Sequence, residues 1–243
     1  MGITYSGTGP RRVYTVQDLH QLRTSGKWSK YPDAVFALPF ESSITEDLGL
    51  GNHAWIVNGS AALSTEHIYN SSYSAYFGGA NYLNLASFSE LAGYSGDLTL
   101  SVFFRLDGTP TGTTYNSSYY ILGGGPLNSD PGFDFAIGNT AIWFSHYAYP
   151  TRILSGTWTP DLIWHHVAVV RQSNNWTMYL DGASVATATD ATAIPASITN
   201  MAIGRCEPTG GVSAGYFKGW MKELLVVKKA MFTAPFTVNG LFM

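Results

Sequence analysis

The sequence predicts an all-β fold of two packed antiparallel sheets, and three observations carry that prediction. From residue 34 onward the apolar residues come in strand-length runs, rich in Val, Ile, Thr and aromatics and separated by Gly, Asn, Asp, Ser and Pro. The 26 Gly and 11 Pro among 243 residues are too many for a helix bundle and suit a chain with many turns. Hydrophobic residues make up 45% and aromatics 14% of the chain, with only 12% charged. That is about half the roughly 25% charged content of an ordinary soluble domain, and it excludes a disordered chain. Sandwiches of this length form one domain, so a single main body is expected.

The first element is an N-terminal arm, residues 1–31, and the main domain follows as residues 32–243. Residues 1–30 hold five basic residues (Arg11, Arg12, Arg23, Lys27 and Lys30) against one acid, Asp18, for a net +4. The rest of the chain carries a net charge of -7. Thr15 is placed to cap a short helical stripe of Val16, Leu19 and Leu22, which is too short to fold alone and therefore needs a surface to dock on. No basic residue occurs between Lys30 and Arg105, which argues against a nucleic-acid surface there. No apolar run reaches the length of a membrane span, so no membrane insertion is expected. The single cysteine, Cys206, excludes an intrachain disulfide and a cysteine-ligated zinc site.

Thirteen strands are expected in the domain: 34–40, 54–57, 73–77, 82–85, 98–106, 119–122, 133–137, 142–146, 164–171, 176–180, 184–188, 201–204 and 216–227. Ser87–Leu91 and Phe232–Phe236 read as short helical turns. The sharpest local signal is a meander at 164–188, in which Gln172–Asn175 turns one strand into the next and Asp181-Gly182 supplies a two-residue hairpin loop. Side chains alternate faces along a strand, so Trp176, Met178 and Leu180 share one face and Thr177 and Tyr179 the other.

Several pieces of this pattern resemble the laminin-G-like branch of the concanavalin A-like jelly rolls. They are the Trp164-His165-His166-Val167-Ala168 strand, the strand ending Tyr179-Leu180-Asp181-Gly182, the Ile203-Gly204 strand, and Phe217-Lys218-Gly219-Trp220-Met221-Lys222-Glu223-Leu224 followed by Ala230-Met231-Phe232-Thr233. Lys222-Glu223 stands where the family has Asp-Glu. Upstream, Ala34–Glu41 with Asp47 and Ser74–Leu83 are similar to the family's opening strand and an early strand pair. The resemblance covers roughly residues 32–243 and implies a two-sheet antiparallel jelly-roll sandwich. In its polar arm and lack of a disulfide the chain is similar to the laminin-G-like domains of bacteriophage virion proteins, in tail fibres or capsid decorations. That likeness implies a non-enzymatic virion structural protein, assembled in the host cytoplasm. Arg11, Arg12, Arg23 and Lys27 would attach its arm to other virion proteins, while an outward-facing jelly roll, in a homo-oligomer, adheres to a cell-surface glycan. The alternatives are a free-standing carbohydrate-binding, lectin-like module and, behind it, a glycosidase.

The residues themselves offer no catalytic constellation. A retaining glycosidase on this fold sets carboxylates about 5 Å apart, and no Glu-x-Asp-x-x-Glu strand is present; Asp47, Asp107, Asp130, Asp161 and Asp181 fall at turns. His165 and His166 are adjacent on a strand, point to opposite faces and so do not chelate one ion together. No cofactor is expected. The best local calcium candidate is Asn128–Asp134, with too few acids for the six or more oxygens calcium takes. Sugar sites use aromatic faces beside a few polar groups, and of the loop aromatics Tyr147, Tyr149 and Trp158 are the candidate glycan platforms at the rim.

Overall fold

The computed structural model describes residues 34–69, 73–114, 117–125, 133–146, 152–206 and 215–238. The arm candidates Arg11, Arg12, Arg23 and Lys27 lie outside the described residues, as do Asn128–Gly132 of the calcium candidate and the platform residues Tyr147 and Tyr149.

The described residues form fifteen strands in two antiparallel sheets. The eight-stranded sheet runs β13 (Ala183–Thr189), β12 (Asn175–Leu180), β11 (Trp164–Gln172), β6 (Leu98–Leu106), β15 (Lys218–Val227), β4 (Ser74–Gly78) and β3 (Ala62–Ser64), with β1 (Ala34–Leu38) also on β15. The seven-stranded sheet runs β10 (Leu154–Thr157), β9 (Ala141–Ser145), β8 (Phe133–Ile137), β7 (Tyr119–Gly124), β14 (Met201–Ile203), β5 (Tyr82–Leu85) and β2 (Ile56–Asn58). This is the expected all-β jelly-roll sandwich. Strands β3 and β10 are additions to the expected set. No helix occurs among the described residues: 90–93 is a single turn ended by Gly93 at φ 70°, and 232–236 is a non-helical strap.

The core lies between the sheets, where alternate residues of both meet, among them Phe36, Phe77, Phe104, Phe135, Phe144 and Trp176. Trp176, Met178 and Leu180 do face this core, and Tyr179 faces away from it. The outer face of the eight-stranded sheet is covered too. Ala168, Val170, Tyr179 and Leu225 pack under Met231 and Phe232 of the strap. Thr99 fastens the strap by donating to the Lys229 carbonyl (2.6 Å) and accepting from the Met231 amide (2.9 Å). The Asp181-Gly182 loop has φ 49° and 82°, both positive as its hairpin requires, and the Phe236 amide donates to the Gly182 carbonyl. A Cβ on Gly182 would sit 1.8 Å from the Phe236 carbonyl oxygen, so the strap crosses where only glycine fits.

One interruption decides how the N-terminal strand enters. β15 bulges between Lys222 and Leu225, with Glu223 at φ 52°. Before the bulge β15 pairs with β4, and after it with β1. Lys222, fully buried in the gap, donates to the carbonyls of Phe40 (3.0 Å) and Tyr73 (2.7 Å) and pairs with Glu41 at 2.8 Å. Its charge is thus compensated where the backbone ladder splits.

Candidate functional site

Trp158 does not stand on the rim. Its ring is only 5% exposed, lies 5.7 Å from Phe104 and meets His165 edge-on at 4.8 Å. The backbone explains the correction: Trp158 donates its amide to the Thr140 carbonyl one residue past β10, so the chain is still paired there and the inward alternation continues. The adjacent histidines do take opposite faces. His166 turns outward to Ser101 (2.8 Å), beneath Phe232 and Phe236, while His165 lies beside Phe104 and Trp158.

Two histidines sit between pairs of carboxylates. His165 has Asp181 at 2.6 Å from Nδ1 and Asp161 at 2.8 Å from Nε2. Burial opposes the charged ring, but the two carboxylates outweigh it and hold the pKa above the usual histidine value. His53 has Asp47 at 2.7 Å and Glu90 at 2.8 Å, and the Asp47 hydrogen bond raises its pKa despite burial. Asp47 also accepts from the amides of Ala37 and Gly49 and from Trp55 Nε1, so this group pins the loop after β1. Each ring nitrogen already faces a carboxylate, and each cluster reads as a fastener of turns. No group of three or more His, Cys, Asp or Glu among the described residues has the arrangement of a metal site.

The best site for recognition lies on the outer face of the seven-stranded sheet, at its β2–β5–β14 end. Leu83 and Leu85 of β5 point into the core, so Tyr82 and Asn84 point out. Tyr82 pairs with Asn58 of β2, and Asn58 donates through Nδ2 to the Asn84 side-chain oxygen at 2.5 Å. After β14, Gly204 at φ 82° turns the chain back over the sheet, and Arg205 forms a bridge with Tyr216. The Arg205 guanidinium then lies 4.3 Å from the Tyr82 ring centre and 5.8 Å from that of Tyr216. Asn58, Tyr82, Asn84, Arg205 and Tyr216 are all half-buried. The patch offers two aromatic faces, a fixed guanidinium and two amides, the mixture that grips a ring with one apolar face and polar edges.

The far end of the same face is closed. Tyr120 and Trp143 are buried around Ala136 and Cys206, and Arg152 stacks on Trp143 at 4.5 Å and donates to the Thr113 carbonyl. The register places Asp134 beside Gly123 and Ser145. It is 1% exposed, and burial pushes its pKa up to about 8. Cys206, beside it, is pushed up to about 12, mainly by burial, so its thiol stays protonated rather than nucleophilic.

Comparison with known proteins accords with this architecture. The profile of the family Laminin_G_3, described as the concanavalin A-like lectin/glucanases superfamily, matches residues 77–234. Among solved structures, domain 4 of AbnA, a GH43 extracellular arabinanase from Geobacillus stearothermophilus in complex with arabinotriose, aligns with TM-score 0.60 at 17% identity, covering 87% of this chain and 100% of that one. The binding domain of botulinum neurotoxin DC in complex with SialylT aligns with TM-score 0.61 at 12% identity, covering 82% of this chain and 48% of that one. A Trypanosoma rangeli sialidase mutant displaying trans-sialidase activity aligns with TM-score 0.55 at 14% identity, over 88% and 36%. This chain therefore spans about half or less of the last two, and at these identities the likeness is one of fold. No curated protein matches the chain.

Proposed function

Because this chain belongs to the concanavalin A-like lectin/glucanases superfamily, we propose that it is a non-catalytic carbohydrate-binding module. Its glycan site is the Tyr82–Arg205–Tyr216 patch with Asn58 and Asn84. The observation that carries this reading is the patch itself, in which aromatic faces, amides and a stacked guanidinium meet half-exposed on a rigid sheet. Absence of catalysis is supported by where the strand carboxylates fall. Among the described strands, acids occur only as Asp134 in one sheet and Glu223 in the other, a poor start for the closely spaced pair of a retaining glycosidase. The test is binding to a glycan array, repeated with Tyr82→Ala and Asn84→Ala. Binding that falls at least tenfold in both variants, without a change in melting temperature, supports the site. Binding that ignores both substitutions refutes it, and sugar release from a polysaccharide panel refutes the non-catalytic part.

The setting we propose is the surface of a bacteriophage particle, as a homo-oligomer, with residues 1–31 attached to other virion proteins and the sandwich facing outward. The supporting observation is the charge asymmetry, since five of the 13 Lys and Arg fall in the first 30 residues of a chain whose remainder is acidic. A chain lacking residues 1–31 is then expected to fold but not to enter particles. Normal incorporation of that chain would remove this setting while leaving glycan binding intact.

A further inference from the structure

We infer that the outer face of the eight-stranded sheet, around Arg105 and Trp164, is the contact surface between two copies of this chain. The copies are related by a two-fold axis, and Arg105 of each is paired with Glu66 of the other. This rests on the homo-oligomer reading above and is independent of the glycan site. The first argument is a cation without a counterion. Alternation along β6 points Val102, Phe104 and Leu106 into the core, and Phe103 and Arg105 outward. The register sets Arg105 between Trp164 of β11 and Trp220 of β15. Its Nε is buried with no hydrogen-bond partner, and no ion pair or ring contact joins the guanidinium to a described residue. Asp107, two residues further along on the same face, is held instead by Lys218 at 3.5 Å and by the Tyr76 hydroxyl at 3.0 Å. Arg105 is half-buried, so its Nη groups are the end that a carboxylate reaches. A guanidinium left this way, partly out of water, calls for a partner.

The second argument is that the same face supplies both the matching carboxylate and the apolar surface around it. After β3 the chain crosses this face: His67 meets Trp220 edge-on at 4.2 Å, and Tyr69 stacks on Phe103 at 4.3 Å and lies 5.4 Å from Trp164. Glu66 opens the crossing with a side chain 70% exposed, and it reaches His67 only at 4.0 Å. Ile68 and Ile163, the residues just before Tyr69 and Trp164, are 51% and 58% exposed, and Leu162 is 48% exposed. Large aliphatic side chains around an aromatic and arginine centre suit a protein surface better than a sugar. The basic arm, at net +4, has the wrong sign to cover Arg105. A patch that carries an unpaired cation and, apart from it, an accessible anion is self-complementary. Turned about a two-fold axis it brings Glu66 to Arg105 twice, as an isologous contact does.

The experiment is sedimentation velocity on the full chain over a wide range of concentration, with Glu66→Arg, Arg105→Glu, the two combined, and Ile163→Asp. The expected result is a concentration-dependent dimer whose affinity each single substitution weakens by about tenfold or more. The combined substitution exchanges the two charges across the axis and is expected to bring the affinity back to within about threefold of native. Should Arg105→Glu fold poorly, Glu66→Arg and Ile163→Asp, both at exposed positions, decide, and loss of the dimer in both supports the surface. An oligomer that ignores Glu66→Arg and Ile163→Asp overturns this surface and leaves the homo-oligomer reading standing. Single substitutions that weaken the dimer without recovery in the combined variant overturn the two-fold pairing. A monomer at every concentration overturns both readings and leaves the face to residues 239–243 of the same chain or to another protein.

Discussion

Replacing Lys222 by methionine tests how the two halves of β15 are held. Methionine keeps most of the side-chain volume, so the loss is confined to the ammonium group. In the native protein that group donates at 3.0 Å to Phe40 and 2.7 Å to Tyr73, and pairs with Glu41 at 2.8 Å, with no exposure to solvent. Its removal strands the buried Phe40 carbonyl, which by itself costs about 1–3 kcal/mol, and also abolishes the hydrogen bond to the less buried Tyr73 carbonyl. The Glu41 side chain is 28% exposed and turns to water, so the larger penalty of an abandoned buried charge does not apply in full. The expected total is about 3 kcal/mol, or on the order of 10 °C in melting temperature for a chain of this length. Urea unfolding followed by tryptophan fluorescence reads the change directly. Glu41→Gln keeps an acceptor but removes the charge that compensates the buried ammonium, so it too is expected to cost about 1–3 kcal/mol. If Lys222→Met unfolds within 0.5 kcal/mol of the native protein, the gap is closed by packing and the reasoning fails.

Three further outcomes are expected. The pKa of His165 is raised above its unfolded value by Asp181 and Asp161, so its contribution to stability is complete below about pH 6.5 and is lost as pH rises through the folded value; His165→Gln should flatten that alkaline loss in a stability-versus-pH series. The Asp134 carboxyl is pushed up to about 8, so its contribution runs from full below about pH 4 to lost above 8, and Asp134→Asn is expected to gain about 1–3 kcal/mol at pH 9 and nothing at pH 3 by denaturant titration. Trp158→Ala, inside the core, is expected to cost about 3–5 kcal/mol in unfolding while leaving glycan affinity of the folded protein unchanged; a selective loss of binding would return Trp158 to the site.

The strands that were easiest to read are those whose own side chains fill the core. β5, β6 and β8 coincide with the expected ranges, and each carries Leu, Val or Phe at alternate inward positions. β3 and β10 were not legible because their burial signal sits elsewhere. β3 is a three-residue edge strand whose single large apolar residue, Leu63, is only half-buried against the core. β10 has Gly156 at an inward position that Val185 of β13 fills, since a Cβ there would meet Val185 Cγ2 at 2.7 Å. The candidate helical turn at Phe232–Phe236 was misread because aromatic spacing alone does not separate a helix face from a strap. Here Phe232 and Phe236 stack on each other at 4.3 Å and lie against His166. At the site, the alternation in Tyr82-Leu83-Asn84-Leu85 did carry a signal, an aromatic and an amide on the solvent side of a strand with a leucine core face. Nothing local joins Tyr82 to Arg205 and Tyr216, because that join is made by strand pairing across more than a hundred residues and by the bend at Gly204.

The scarcity of charge takes on a structural meaning once its locations are known. Lys222 sits where β15 bulges, Asp47 gathers the amides of the loop after β1, and Asp181 caps the β12–β13 hairpin by accepting from the His166 amide at 2.8 Å. Arg171, fully buried at the end of β11, donates to the Ser173 carbonyl in the adjoining turn. Each charge satisfies backbone groups that the sheet ladders leave over, the positions at which an unpaired polar group costs most. Under the proposed glycan-binding reading, the groups left for recognition are the aromatic rings and amides that meet half-exposed on the outer face of the seven-stranded sheet. Tyr82 and Asn84, rather than these fastening charges, are therefore the residues whose substitution should separate binding from folding.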